Sequence, residues 1–252
     1  TSCWEGAGGK HLPLLFTLAC LALLGVRWAR GRGAWRRDLG LGPHPRKAMD
    51  FAFGAFLGLL AMLAVFGVEW ACGWLRPGPF DPSGPGNLDV LPAMAAVAFW
   101  EELRFRGIEL AGLRSLLPTW AALALSSAAF GAAHALNANA SWLSIAGNAA
   151  DGLVYGYAFL ASGAIWLPAG LHAAWNIVQG PILGLPVSGY AEGGLLHPVV
   201  SGPALLTGGA YGPEAGLLGL ASRFLILALL WATLRTRCPN PLRGTAAKEL
   251  PC

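Results

Sequence analysis

Two adjacent glutamates, Glu101 and Glu102, interrupt an apolar stretch and constrain this chain more than any other feature. The eight residues before Phe99 carry no charge. A charged side chain near the centre of a bilayer costs about 2.5 to 3.5 kcal/mol on insertion scales, so two carboxylates need partners or a wet cavity. Glu102 and Arg106 are four residues apart and would share one helix face. Glu101 would point about 100 degrees away, free for chemistry. A short interfacial helix with solvated charges is the competing interpretation.

The composition is typical of a membrane protein. The 252 residues are 55% hydrophobic and 12% charged, and their mean hydropathy is +0.54. A soluble domain carries about 25% charged residues. The basic residues lie in short loops beside apolar segments rather than along one polar face, so we expect no nucleic-acid partner.

We predict an all-α fold: a polytopic transmembrane helical bundle of about seven spans, with residues 1–252 forming a single membrane domain. A helical span needs about 20 apolar residues. The predicted spans are residues 12–28, 49–75, 91–113, 118–136, 142–161, 164–183 and 217–234. Two Gly/Pro-rich connectors, 76–90 and 183–216, lack helical periodicity.

The distribution of lysine and arginine predicts the orientation of these spans. Basic residues cluster in the 27–47 loop and in the C-terminal tail, which should therefore be cytoplasmic. The loop contains Arg27, Arg30, Arg32, Arg36, Arg37, Arg46 and Lys47, and the tail contains Arg235, Arg237, Arg243 and Lys248. Both connectors should then lie outside, and we expect the site to open there. Thr1 is not an initiator methionine, so we expect the sequence to start inside a longer chain, where a further span could precede it.

Polar residues interrupt three separate predicted spans. The first set is Glu101, Glu102 and Arg106. The second is His134, at the end of the stretch FGAAH, and the third is His172 and Asn176, the two ends of the stretch HAAWN. A single intramembrane histidine is more often packed or hydrogen-bonded than catalytic. Burying any one of these three polar sets in the membrane would cost free energy. They can provide each other with hydrogen-bond and charge partners only if they come together in the fold.

These residues, in this order, form EExxxR (Glu101, Glu102, Arg106), FxxxH (Phe130, His134) and HxxxN (His172, Asn176). The set resembles the CAAX prenyl protease and bacteriocin-processing family, which includes the type II CAAX prenyl endopeptidases and Abi-like bacterial relatives. The resemblance covers residues 93–180, within a motif-bearing core of about 91–183. It implies an intramembrane glutamic endopeptidase.

The resemblance also implies a role for each motif residue. Glu101 and His134 would activate a water molecule, and His172 and Asn176 would stabilise the oxyanion. The pair of Glu102 and Arg106 would be structural. Amide hydrolysis independently needs a base and donors aimed at the developing oxyanion, and one such donor contributes about 2.7 to 4 kcal/mol.

A zinc enzyme is the alternative mechanism. Glu101, His134 and His172 would be its ligands, since two histidines and a glutamate hold some catalytic zinc ions. The sequence has no HExxH, and the asparagine in fourth place is a poor zinc ligand. We therefore expect no cofactor.

Two other classes of function remain open. A proton-coupled transporter would use intramembrane acids such as Glu109 and Asp151. A non-catalytic scaffold would not need the intact motif set.

We expect membrane lipids and a membrane-anchored protein or peptide substrate as partners, in the inner (plasma) membrane of a bacterium. A prenylated CAAX cysteine, a bacteriocin leader and a C-terminal sorting tail all fit as substrates. The Gly, Ala, Arg and Trp richness suggests a GC-rich bacterial genome and so disfavours the CAAX substrate.

Overall fold

The computed structural model describes residues 12–31, 34–82, 90–191, 193–236, 238 and 240–242. The predicted residues Arg32, Arg237, Arg243 and Lys248, and positions 83–89 of the first connector, lie outside this described part. The chain is mostly helical, as predicted. Its α-helices are α1 (Leu12–Ala29), α2 (Trp35–Asp38), α3 (Lys47–Ala71), α4 (Leu91–Glu102), α5 (Ala111–Leu113), α6 (Thr119–Ala133), α7 (Trp142–Ser162), α8 (Trp166–Ile177), α9 (Ala204–Thr207) and α10 (Leu217–Leu234).

Two π-helical segments continue the helices that carry the glutamates and the HxxxN motif. Leu103–Leu110 joins α4 to α5, and Val178–Ile182 extends α8. Each predicted span therefore coincides with a helical segment, with ends shifted by a few residues. The largest shift is in α3, which ends at Ala71 rather than at 75 because Gly73 turns the chain with φ 71°.

Among the described residues, three helices are long and apolar enough to cross a membrane, judged by length and composition: Lys47–Ala71, Thr119–Leu136 and Leu217–Leu234. Large apolar side chains point away from the protein on several helices. Leu60 in α3 is 46% exposed and Leu225 in α10 is 61% exposed. Charged side chains such as Glu102 and Arg106 are instead buried inside the bundle. This apolar-out, charge-in arrangement is that of a protein in lipid rather than in water.

Helices α3 and α8 pack closely because three glycines line their contact. A Cβ atom on Gly58 would lie 2.5 Å from the carbonyl oxygen of Leu171. Gly54 faces the Leu167 carbonyl, and from the opposite helix Gly170 faces the Phe51 carbonyl. Small residues four apart permit this approach of two backbones. The contact fixes the helix that carries His172.

The two connectors meet on one side of the helical bundle. Leu75–Arg76 (β1) and Val199–Val200 (β2) pair antiparallel, and Phe80 forms a further bridge with Leu196. The all-α prediction thus omits a small two-stranded sheet. The backbone N–H and C=O groups of these two loops form hydrogen bonds with each other. A sequence pattern within one segment does not reveal such a pairing between two segments.

We predict that Gly58→Val destabilises the protein and lowers activity, since a new side chain would meet the Leu171 carbonyl and push α3 from α8. Thermal unfolding in detergent measures the first effect. Gly67→Val is the matched control on the same helix, because nothing lies within 4 Å of a Cβ placed there. Equal melting of the two variants would contradict the proposed role of this contact.

Candidate active site

The motif residues lie where α-helix changes to π-helix. Glu101 and Glu102 end α4, and the π-helical segment starts at the next residue. Asn176 lies one residue before the end of α8, and the second π-helical segment follows, with Pro181 inside it. π-Helical turns occur frequently at functional sites because they shift the direction of side chains along a helix.

A cavity of about 310 Å³ brings four of the seven motif residues together. Glu101, His134, His172 and Asn176 all line it. Glu102 and Arg106 do not line it and are almost completely buried behind it. The structure thus separates the two adjacent glutamates: one faces the cavity and the other faces the protein interior.

Glu102 has two partners, of which sequence reasoning identified one. Its Oε2 atom lies 3.1 Å from Nε of Arg106, as the spacing of four residues predicted. Its Oε1 atom lies 2.9 Å from Nδ1 of His172, seventy positions along the chain. A carboxylate only accepts hydrogen bonds, so Nδ1 of His172 carries the proton. Glu102 therefore fixes the orientation of the imidazole.

The other nitrogen of His172 faces the cavity glutamate. Nε2 lies 3.7 Å from Oε2 of Glu101, whose side chain is 24% exposed. The imidazole thus lies between two carboxylates, one inside and one on the cavity surface. The exposed fraction of Glu101 leaves its carboxylate accessible to water.

His134 is held by its own helix. Its Nδ1 atom lies 2.8 Å from the carbonyl oxygen of Phe130, one turn earlier. Because that oxygen accepts a hydrogen bond, Nδ1 bears the proton and Nε2 keeps its lone pair in the neutral ring. His134 begins a 3₁₀ turn after α6, which places its ring at the edge of the cavity.

Aromatic rings surround the buried charges, and sequence reasoning missed most of them. Tyr155 stacks on the His172 ring, with centroids 4.7 Å apart and planes at 14°. The Arg106 guanidinium lies 4.7 Å from the centroid of Phe130 and 5.2 Å from that of Tyr155. Its Nη2 atom also donates to the Gly152 carbonyl at 3.3 Å. In the sequence, the one indication that Tyr155 faces the site is its position one helical turn after the polar residue Asp151.

Comparison with protein-family models assigns this part of the chain. Residues 85–178 match the model described as type II CAAX prenyl endopeptidase, Rce1-like. This stretch is similar to that family and is here called the Rce1-like segment. All seven motif residues lie within it, so the resemblance found in the motifs is confirmed here, together with the peptidase class of that family. No curated protein and no solved structure matches the chain significantly.

The second connector, which follows the Rce1-like segment, forms part of the cavity. Val187, Ser188 and Tyr190 line it together with Asn137, from the loop after His134. A smaller chamber of about 10 Å³ lies next to it, between His134, His172 and Glu214. That volume is close to the space for one water molecule.

Three other buried acids, Asp151, Glu109 and Glu214, are held by fixed partners. Asp151 accepts hydrogen bonds from Arg223 at 2.8 and 2.9 Å. Glu109 accepts from Thr17 at 2.6 Å and from Arg104 at 3.2 Å. Glu214, in the connector, bonds with Gln179 and Ser188, and burial raises the pKa of its carboxyl to about 7 although Arg223 nearby opposes that shift.

The arrangement of the described side chains does not fit a zinc ion. No three His, Cys, Asp or Glu residues in the described part of the chain come together in a group that could hold a metal. The Nδ1 atom of His172 is bonded to Glu102, and its Nε2 atom is oriented toward Glu101. The zinc alternative would require these side chains to rearrange.

We predict that Arg106→Ala lowers the free energy of unfolding by roughly 3 to 5 kcal/mol, because it leaves the Glu102 charge buried without its partner. Chemical unfolding in detergent measures this change, and loss of activity should follow loss of folded protein. Arg76→Ala, at an exposed position in β1, is the control. A well-folded Arg106→Ala protein with normal melting would show that the pair is not structural.

Proposed function

We propose that this chain hydrolyses a peptide bond in a membrane-anchored or lipidated protein or peptide, with seven helical segments forming the membrane domain. The observation that carries the proposal is the convergence of Glu101, His134, His172 and Asn176 on one cavity. These side chains come from three helical segments, and their polar atoms are the types that amide hydrolysis needs.

In the proposed mechanism, Glu101 is the general base. Its carboxylate takes a proton from a water molecule while the water oxygen attacks the carbonyl carbon of the scissile bond. The Nε2 lone pair of His134 orients the same water by accepting its second proton in a hydrogen bond. The proton held by Glu101 then passes to the leaving amine, which completes hydrolysis.

His172 and Asn176 are the proposed donors to the oxyanion. They are one helical turn apart and both line the cavity. Since Nδ1 of His172 donates to Glu102, Nε2 donates only when the ring carries both protons. The carboxylates of Glu101 and Glu102 on its two sides compensate that positive charge.

The cavity is lined by the 183–216 connector, which supports a site that opens on the connector side of the protein. Given the predicted orientation, that side is outside, and substrates would be exported proteins cut near their anchors in the inner membrane of a bacterium. A Tyr190→Cys variant, in a background without other reactive cysteines, should react with a membrane-impermeant thiol reagent from that side of oriented vesicles. Labelling only from the cytoplasmic side would show that the site opens to the cytoplasm and that the predicted orientation is wrong.

We predict that Glu101→Gln and His134→Ala each lower kcat by at least about 100-fold, because each removes a group that activates water. Protein yield and melting temperature should stay near those of the wild type. A reconstituted assay with a membrane-anchored peptide measures kcat, and His197→Ala, an exposed histidine in the connector, is the control. Near-full turnover by Glu101→Gln would refute the glutamic mechanism.

We also predict that activity survives exhaustive chelation, since the proposed chemistry uses side chains alone. Metal content of the purified protein, measured beside activity, separates this mechanism from the zinc alternative with ligands Glu101, His134 and His172. One tightly bound zinc per chain, lost and restored together with activity, would decide for the zinc enzyme.

A further inference from the structure

A tight turn at residues 187–190, here called the cavity turn, forms one wall of the catalytic cavity. The Val187 N–H donates to the Tyr190 carbonyl at 2.9 Å, and the Tyr190 N–H donates to the Val187 carbonyl at 3.0 Å. Ser188 has φ 49° and Gly189 has φ 93°, so both central residues are left-handed. This is the pattern of a type I′ turn, which is a narrow and well-defined structure.

A buried carboxylate holds the cavity turn from the connector side. Oε1 of Glu214 accepts a hydrogen bond from the Ser188 N–H at 3.2 Å. Its Oε2 atom accepts from Nε2 of Gln179 at 2.7 Å, and the same nitrogen also bonds with the Pro186 carbonyl. Gln179, three residues after Asn176, thus links the end of the catalytic helix to the start of the turn.

Two asparagines of the loop after His134 also hold the turn. Nδ2 of Asn137 donates to the Ser188 carbonyl at 2.9 Å, and Nδ2 of Asn139 donates to the Gly189 carbonyl at 3.3 Å. A Cβ atom on Gly189 would collide with the Ala138 carbonyl. The turn therefore has one position, fixed between the loop after His134 and the helix of Asn176.

Val187 is a side chain of the turn that lines the same cavity as Asn176. It is 8% exposed and lines the cavity. Behind it lies Gly180, one turn after Asn176, where a Cβ atom would be 2.9 Å from Cγ2 of Val187. Val187 therefore cannot move back without meeting the helix, and it limits the space in the cavity that Asn176 also lines. Tyr190, which is 50% exposed, stands at the rim.

We propose that Val187 is a specificity-determining residue that restricts the substrate side chain beside Asn176 to small or medium apolar groups, and that Glu214 and Gln179 are positioning residues for this wall. The proposal rests on the peptidase function proposed above. Met94, Val97 and Phe105 add further apolar surface to the cavity, which suits an extended peptide with apolar side chains near the scissile bond.

The test uses the 252-residue chain in vesicles of phosphatidylethanolamine and phosphatidylglycerol. The probe is a set of quenched fluorescent peptides with one apolar anchor, in which single positions vary among alanine, leucine and tryptophan. We expect Val187→Ala to raise kcat/KM for the bulkiest residue relative to alanine by about 10-fold or more at one position, as a change of a methylene or more in an apolar pocket does. Val187→Leu should shift the ratio the opposite way.

Val199→Ala is the matched control, since it makes the same substitution in the same connector at an exposed position in β2. For the positioning residues, Glu214→Ala and Gln179→Ala should raise KM and relax the size preference while kcat for the best peptide changes little. A merely structural role would reduce the active fraction, which scales kcat for all peptides and leaves KM and the size ratio unchanged.

Binding of the same peptides to Glu101→Gln protein separates the two proposals, because it needs no hydrolysis. If Val187→Ala changes the size ratio of Kd in this background but the wild type never cleaves a peptide, the wall is supported and the peptidase proposal fails. If the wild type cleaves in a Glu101-dependent way and Val187→Ala leaves both ratios equal to those of Val199→Ala, the proposal for Val187 is overturned.

Discussion

The contact on which the rest of the site depends is the buried group of Glu102, Arg106 and His172. Removing two opposite charges from water is expensive, and their attraction compensates only when geometry and further hydrogen bonds are good. Here the carboxylate uses both oxygens, one toward each partner, and the guanidinium lies over the rings of Phe130 and Tyr155. Because its members come from different helices, the group couples their relative position to the orientation of one imidazole.

The two adjacent glutamates serve opposite environments immediately before a π-helical segment, which starts at Leu103. Adjacent residues on a helix point about 100 degrees apart. Glu101 therefore faces the cavity while Glu102 keeps its contact with Arg106. A wider turn also brings irregular backbone to membrane depth, which is tolerated only where it is buried in protein or lines a cavity. The chemistry and the distortion therefore occupy the same place.

The sequence indicated the helical segments well because apolar runs of membrane length have few alternative structures. It also indicated which polar residues converge, since Glu101, His134 and His172 each lack an adequate partner nearby in sequence. It did not indicate the contact between Glu102 and His172, because Arg106 at four residues already satisfied the local pattern. The same holds for Asp151 and Glu109, whose partners Arg223 and Thr17 come from distant helices. The sequence around a buried charge shows that its burial costs free energy, but it does not show which distant residue offsets that cost.

The sequence did not predict the cavity turn, for a different reason. Ser188 and Gly189 sit in a connector rich in glycine and proline, where no strand pattern flanks them, so a two-residue turn had no signal. Its importance arises only from tertiary contacts with Asn137 and Glu214. The residues that perform the proposed chemistry lie within the Rce1-like segment, whereas Val187 and Glu214 lie beyond it. Loops held on a rigid scaffold commonly determine what is bound while the scaffold retains the reactive groups. In this protein, substitutions in the 183–216 connector would then change which substrate is bound without moving Glu101 or His172.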